Sequence, residues 1–151
     1  MWTTFKYMLI GEYLHTIDQK NRLSVPSKFR KELGGGVVVT RGLDKCLFLY
    51  TTEEWRQLAD KLAKLPLGKV ENRAFQRMMI AGATDVEIDS LGRILIPDYL
   101  LVYAGLKEAA MIVGLYNRVE IWNPELWQKY SETAEENIER IAEKLGEAGL
   151  Y

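Results

Sequence analysis

TIDQKNRLSVP (residues 16–26) and EIDSLGRILIP (residues 87–97) share one sentence, Ile-Asp-x-x-x-Arg-hydrophobic-x-hydrophobic-Pro, at a spacing of 71 positions. An enzyme rarely needs two copies of one charged pair, whereas a symmetric scaffold or a polymer-binding surface often does. The match extends outward at the same offset, with Asp18, Arg22, Pro26 and Gly34 falling on Asp89, Arg93, Pro97 and Gly105. After a one-residue adjustment Gly42 falls on Gly114, Leu49 on Ile121, Tyr50 on Trp122 and Trp55 on Trp127. A self-match at fixed spacing marks a tandem duplication. The chain divides into repeat 1 (12–55), a helical linker (56–83), repeat 2 (84–127) and a C-terminal segment (128–151).

Each repeat has the same grammar. A short strand, YLHTI or DVEI, leads to the aspartate; a tight turn, QKN or SLG, follows; RLSVP or RILIP is the second strand. Proline ends that strand and opens a short helix, SKFRKEL or DYLLVYA, where Ser27 or Asp98 is placed to cap it. Gly34 and Gly105 end the helix, and two further strands follow, VVVT with CLFLY and AMIVGL with VEIW. The residue before each arginine is Asn21 or Gly92, the two types that best tolerate a left-handed backbone. Positive φ is therefore expected at both, which fixes how Arg22 and Arg93 leave the turn. Units this small cannot bury a sufficient core alone, so the two should pack together. Open strand edges further favour intertwining or ring assembly.

Outside the repeats, residues 53–66 place Trp55, Leu58, Ala59, Leu62 and Leu65 on one helical face, and VENRAFQRMMIAGA continues as a helix. Near the C-terminus Trp127, Tyr130, Ala134, Ile138, Ile141 and Leu145 form a stripe ringed by glutamates, and residues 146–151 read as frayed. The Met78-Met79 pair and the C-terminal stripe read as packing surfaces. The 151 residues include no apolar run long enough to span a bilayer, and the N-terminal stretch has no secretory pattern. Cys46 is the sole cysteine and His15 the sole histidine, so one chain has neither an internal disulfide nor a Cys/His zinc set, and a reducing cytoplasm fits. No cofactor and no metal site is expected.

The net charge of −1 hides an asymmetry. Residues 124–151 carry seven acids against three bases, leaving the remainder at +3. Within residues 18–31, Lys20, Arg22, Lys28, Arg30 and Lys31 face the single acid Asp18, for +4, whereas residues 89–102 come to −1. Two readings of the Asp-Arg pairs stand side by side. One is a salt bridge that staples a β-turn. The other is a carboxylate that orients a guanidinium while leaving further N–H donors for phosphate oxygens or the O6/N7 edge of guanine. On the second reading the first motif has the stronger nucleic-acid electrostatics. An enzymatic reading has little to stand on. Catalytic residues are absent from the pattern: no nucleophile and base carry a signature, and GGGVVV lacks the Gly-Lys-Ser/Thr ending of a phosphate loop. Cys46, inside CLFLY, reads as a buried packing thiol, and His15 as a structural strand residue.

In GEYLHTIDQKNRLSVPSKFRKEL, RGLDKCLFLYTTEEW, AGATDVEIDSLGRILIP and NRVEIW, over about residues 8–145, the sequence resembles the MraZ family. That resemblance implies an α+β fold: an AbrB-like swapped-hairpin, double-psi-like β-barrel built from two tandem SpoVT-AbrB repeats, with peripheral helices and a C-terminal amphipathic helix. It implies a non-enzymatic transcriptional regulator, usually a repressor, cytoplasmic and nucleoid-associated. Such a protein binds double-stranded DNA at promoter direct repeats of the cell-division and cell-wall gene cluster. Its partner is also itself, as a ring homo-oligomer, with no membrane and no small-molecule substrate. Arg22 and Arg93 inherit the DNA-facing role, with Lys20, Lys28, Arg30 and Lys31 beside them, Asp18 and Asp89 as orienters, and Asn21 and Gly92 shaping the turns. Most relatives have Gly where this chain has Asn21, and they begin near M-x-x-GEY, a start that Met8 fits, so either residues 1–7 are an extension or Met8 is the real start. The alternative reading is an antitoxin-type protein-interaction module on the same fold.

Overall fold

The computed structural model describes residues 8–150, so the expectation about residues 1–7 lies outside the described residues. Repeat 1 folds as β1 (Leu9–Thr16), β2 (Arg22–Ser24), α1 (Ser27–Leu33), β3 (Gly36–Arg41), β4 (Leu47–Thr51) and α2 (Thr52–Ala63). The linker holds α3 (Val70–Gln76), which runs into a π-helical turn over Arg77–Ala81. Repeat 2 follows the first in the same order: β5 (Thr84–Glu87), β6 (Arg93–Leu95), α4 (Asp98–Ala104), β7 (Ala109–Tyr116), β8 (Val119–Trp122) and α5 (Pro124–Glu147).

The repeats exchange their lead strands. A six-stranded antiparallel sheet runs β1-β7-β8-β4-β3-β5, so β1 of repeat 1 pairs with β7 of repeat 2, and β5 of repeat 2 pairs with β3 of repeat 1. The centre of the sheet is the equivalent pair β4 and β8, and a separate two-stranded ribbon joins β2 to β6. The exchange follows an internal two-fold, although β1 pairs along eight residues and β5 along four. The closed barrel expected from the resemblance is not found: the sheet ends at β1 and at β5, which do not pair with each other.

One hydrophobic core spans both halves, joining Leu23, Val25, Phe29, Val37, Val39, Leu47 and Leu49 to Ile94, Ile96, Leu100, Ile112, Val119 and Ile121. Neither half owns enough of it to fold by itself, as the small size of each repeat predicts. Alternation along β4 sends Leu47 and Leu49 to this core and Cys46 and Phe48 to a second cluster on the other side, with Leu62, Met79, Val113 and Trp122. α2 covers that second cluster through Leu58, Leu62 and the following Leu65.

Four expectations are corrected. Ser27 and Asp98 are the first residues of α1 and α4 rather than their caps; Pro26 and Pro97 hold the cap position with no side-chain cap bond. Proline's fixed φ starts the helix, and its carbonyl accepts the first turn's N–H groups, from Phe29 and Arg30 or from Leu100 and Leu101. The linker helix is interrupted: Arg41 Nη1 and Thr40 Oγ1 donate to the Met78 and Met79 carbonyls at 3.2 and 2.7 Å, at the widened π turn. Met78 and Met79 part company there, Met79 buried and Met78 half exposed. The C-terminal stripe packs only at its start, where Trp127 meets Trp122 edge-on at 5.2 Å and Tyr130 meets it at a tilt at 5.1 Å; Ile138, Ile141 and Leu145 stay exposed. Among the described residues no helix is long and apolar enough to cross a membrane.

Candidate nucleic-acid interface

The two Asp-Arg turns are built identically. In the first, the Asp18 N–H donates to the Arg22 carbonyl and the Asn21 N–H to the Asp18 carbonyl, each at 3.0 Å. In the second, Asp89 and Gly92 make the equivalent bonds at 2.9 Å. Asp18 Oδ1 accepts from the Lys20 and Arg22 N–H groups at 2.9 and 3.0 Å, and its Oδ2 accepts from Arg22 Nε at 2.7 Å. Asp89 repeats this with the Leu91 and Arg93 N–H groups at 3.0 and 2.9 Å and with Arg93 Nε at 2.9 Å. Each turn needs a left-handed residue before its arginine, and φ is +62° at Asn21 and +78° at Gly92.

These bonds set the electrostatics. The Arg22 backbone N–H holds the Asp18 carboxyl below its ordinary range, aided by the Arg22 side chain and the Lys20 N–H. Asp89 is lowered by the same groups of Arg93 and Leu91. The carboxylates therefore stay charged at neutral pH and keep their grip. Each grip uses Nε, and among the described residues no hydrogen bond holds the outer guanidinium nitrogens. A guanidinium with one nitrogen fixed and two presented is a pre-aimed fork for phosphate or a base edge.

The ribbon brings the two forks together. Arg22 lies opposite Leu95, and Ser24 opposite Arg93, so the arginines are diagonal neighbours on one face while Leu23 and Ile94 point into the core. Arg93 Nη1 comes within 3.8 Å of Asp18 Oδ2, across the repeats. Cross-bonds lock the register: the Val25 N–H donates to the Gly92 carbonyl at 2.8 Å, and the Ile96 N–H to the Asn21 carbonyl at 2.9 Å. Each turn also leans on the other repeat's helix. Asn21 Nδ2 donates to Asp98 Oδ1 at 2.7 Å, and Arg30 packs so closely over Gly92 that a Cβ there would meet its guanidinium at 2.0 Å.

The remaining candidates separate. Lys20, in the first turn, and Lys28 and Lys31, on α1, are exposed. Arg30 is half buried, its Nε donating to the Val25 carbonyl at 2.8 Å, so it braces the second turn. His15, half buried on β1, is lowered from its ordinary pKa by burial and by Arg30. Sequence reasoning missed two exposed residues beside the forks, Leu91 and Leu95, and it missed Asp98 as the partner of Asn21. The 71-residue offset, read residue by residue, is the signal that could have found the leucines, since it sets them on Lys20 and Ser24.

Two halves that exchange strands and jointly present carboxylate-held arginines define a tandem-repeat α+β protein whose site is shared between its repeats. The family model described as "MraZ protein" and as antitoxin-like matches residues 8–78 and again residues 79–147. The chain is 52% identical to the transcriptional regulator MraZ of Ligilactobacillus salivarius over 138 residues, 91% of this chain and 96% of that one. It is 48% identical to the protein of that name from Clostridium tetani over 143 residues, 95% of this chain and all of the relative. With that of Caldanaerobacter subterraneus it shares 48% over 138 residues, again 91% and 96% of the two chains. The chain belongs to the MraZ family.

Proposed function

We propose that this chain is a transcriptional regulator that binds double-stranded DNA, with Arg22 and Arg93 entering one groove as a pair. The observation that carries the reading is their placement on one face of the β2–β6 ribbon, each held by its own aspartate. Asp18 and Asp89 orient; Asn21 and Gly92 shape the turns; Lys20, Lys28 and Lys31 contact phosphates, and Arg30 adds charge while bracing the second turn. The target is the direct repeats in the promoter of the cell-division and cell-wall cluster, and the outcome is repression. The fold is read as a swapped-hairpin barrel whose open edges are bridged by the ribbon, since β1 and β5 each run into it. Assembly as a ring homo-oligomer repeats one small basic patch many times, so weak contacts add through effective concentration. That reconciles a chain of net charge −1 with DNA affinity in the cytoplasm, at the nucleoid, and sets the acidic α5 away from DNA.

A gel shift with that promoter, beside a scrambled repeat, tests this. Binding should select the repeat and weaken steeply with salt, and a flat salt response would remove the phosphate contacts from the account. The antitoxin-like description of the family favours a second reading, a protein-interaction module. Under it the promoter and the scrambled duplex would be bound equally poorly.

A further inference from the structure

We infer that Leu91 and Leu95 read thymine in the DNA held by the arginines, so that repeat 2 adds an apolar base contact to the groove that the two arginines share. This rests on the DNA-binding reading above. The internal two-fold sets Leu91 on Lys20 and Leu95 on Ser24. The equivalence holds in the structure as well as in the count: the Leu91 N–H donates to Asp89 as the Lys20 N–H does to Asp18. Leu95 lies directly opposite Arg22 in the ribbon. Both leucines are well exposed, at 65% and 56%.

A single exposed leucine needs no explanation. Two of them beside two presented guanidiniums are different, because whatever covers the leucines must also meet Arg22 and Arg93. That occupant has to offer acceptors or anions and an apolar group within one side chain's reach. The major-groove edge of DNA offers both: acceptors on guanine or phosphate, and the C5-methyl group of thymine. A protein partner seated on the leucines would instead have to cover the arginines and the neighbouring Lys20, in a stretch of charge +4. The lysine-to-leucine exchange also breaks the two-fold, so the protein would sit on its site in one orientation.

The test selects duplexes from a random-sequence library with the full-length protein, then resynthesises the chosen duplex with deoxyuridine in place of each thymine. Deoxyuridine lacks only the methyl group. Affinity should fall about fourfold at one or two thymines, the worth of one buried methyl group. Leu91→Ser and Leu95→Ser, both at exposed positions, should no longer distinguish the thymine duplex from the deoxyuridine duplex. Thymine and deoxyuridine bound alike by the unaltered protein would overturn the inference and leave DNA binding standing. The same holds if the serine variants change only the oligomer mass, which would give the leucines to a protein contact. Failure to select any duplex would sink the DNA reading itself.

Discussion

Arg93 places Nη1 3.8 Å from Oδ2 of Asp18, the same oxygen that Arg22 Nε grips at 2.7 Å. The second repeat's arginine is therefore part of the first repeat's site. The charge count alone favours the first motif, but the geometry makes one site with two forks. Arg22→Ala and Arg93→Ala should each weaken promoter binding by about 1–3 kcal/mol, roughly fivefold to 150-fold, and by similar amounts. Lys28→Ala should cost less and should reduce the salt slope by about one. The oligomer should persist in all three by light scattering. If Arg93→Ala binds as tightly as the unaltered protein, the shared site is wrong; if Arg22→Ala unfolds the chain, the stapled-turn reading wins.

The two aspartates give the turns a defined acid sensitivity. Their folded-state pKa values lie below the ordinary carboxylate range, chiefly through the N–H groups of Arg22 and Arg93. Their contribution is therefore complete above about pH 5, where the unfolded carboxyls are already charged, and is lost as pH falls through the folded-state values. NMR of the Arg22 and Arg93 Nε–H signals should show both held at neutral pH and both released together in acid. Asp18→Asn should release Arg22 at neutral pH while the Arg93 signal stays with Asp89. Signals unmoved between neutral pH and strong acid would contradict the bonds described.

Backbone handedness is testable at the same turns. Asn21 and Gly92 have φ of +62° and +78°, where a β-carbon is strained. Gly92→Ala should cost about 1–2 kcal/mol in urea unfolding, because it adds that strain and drives the new methyl into Arg30. Asn21→Ala should cost about 1 kcal/mol through strain and the lost bond to Asp98. Asn21→Gly removes the bond and relieves the strain, so it should fall between Asn21→Ala and the unaltered chain. An Asn21→Gly protein less stable than Asn21→Ala would mean that glycine's extra unfolded-state freedom outweighs the strain it relieves.

The turn geometry and the two short helices were legible because they are local. Pro26 and Pro97 open α1 and α4, Gly34 and Gly105 close them, and Asn21 and Gly92 are the residue types that best tolerate the positive φ their turns need. The shared site was not legible, because no local pattern states that β2 will pair with β6 of the other repeat. Reading each motif by its own flanking charge treated as separate what the ribbon joins. Arg30 reads as one more surface cation in sequence, yet Gly92 leaves the space it fills. The distal half of α5 has the spacing of a packed helix, and periodicity cannot say that among the described residues nothing covers Ile138, Ile141 and Leu145.

Cys46 is fully buried, its Sγ donating to the Leu43 carbonyl at 3.1 Å. Burial, with Glu120 and Asp44 adding to it, pushes the thiol up to about 12. It should remain a thiol and resist thiolate-directed reagents at pH 8, since the thiolate is the reacting form. Ellman's reagent should count no thiol in the native protein and one per chain in guanidinium. Rapid native labelling would show that the second core cluster opens easily.

α5 carries the last consequence. Its start is anchored, Trp127 Nε1 donating to Glu12 Oε1 at 2.7 Å. From about three turns further on, Ile138, Ile141 and Leu145 continue the stripe in the open, at 57%, 40% and 42% exposure. Each aliphatic side chain buried there would contribute about 1.5–3 kcal/mol, so a row of three is a strong driver of self-association and a poor thing to leave in water. Ile138→Lys with Ile141→Lys should therefore lower the mass measured by light scattering while circular dichroism and the fluorescence of the edge-to-face Trp122–Trp127 pair stay unchanged. DNA affinity should fall with the mass, because fewer arginine pairs act together. An unchanged mass would remove the distal helix from the subunit contacts, and a changed fluorescence would place these residues in the fold of the single chain.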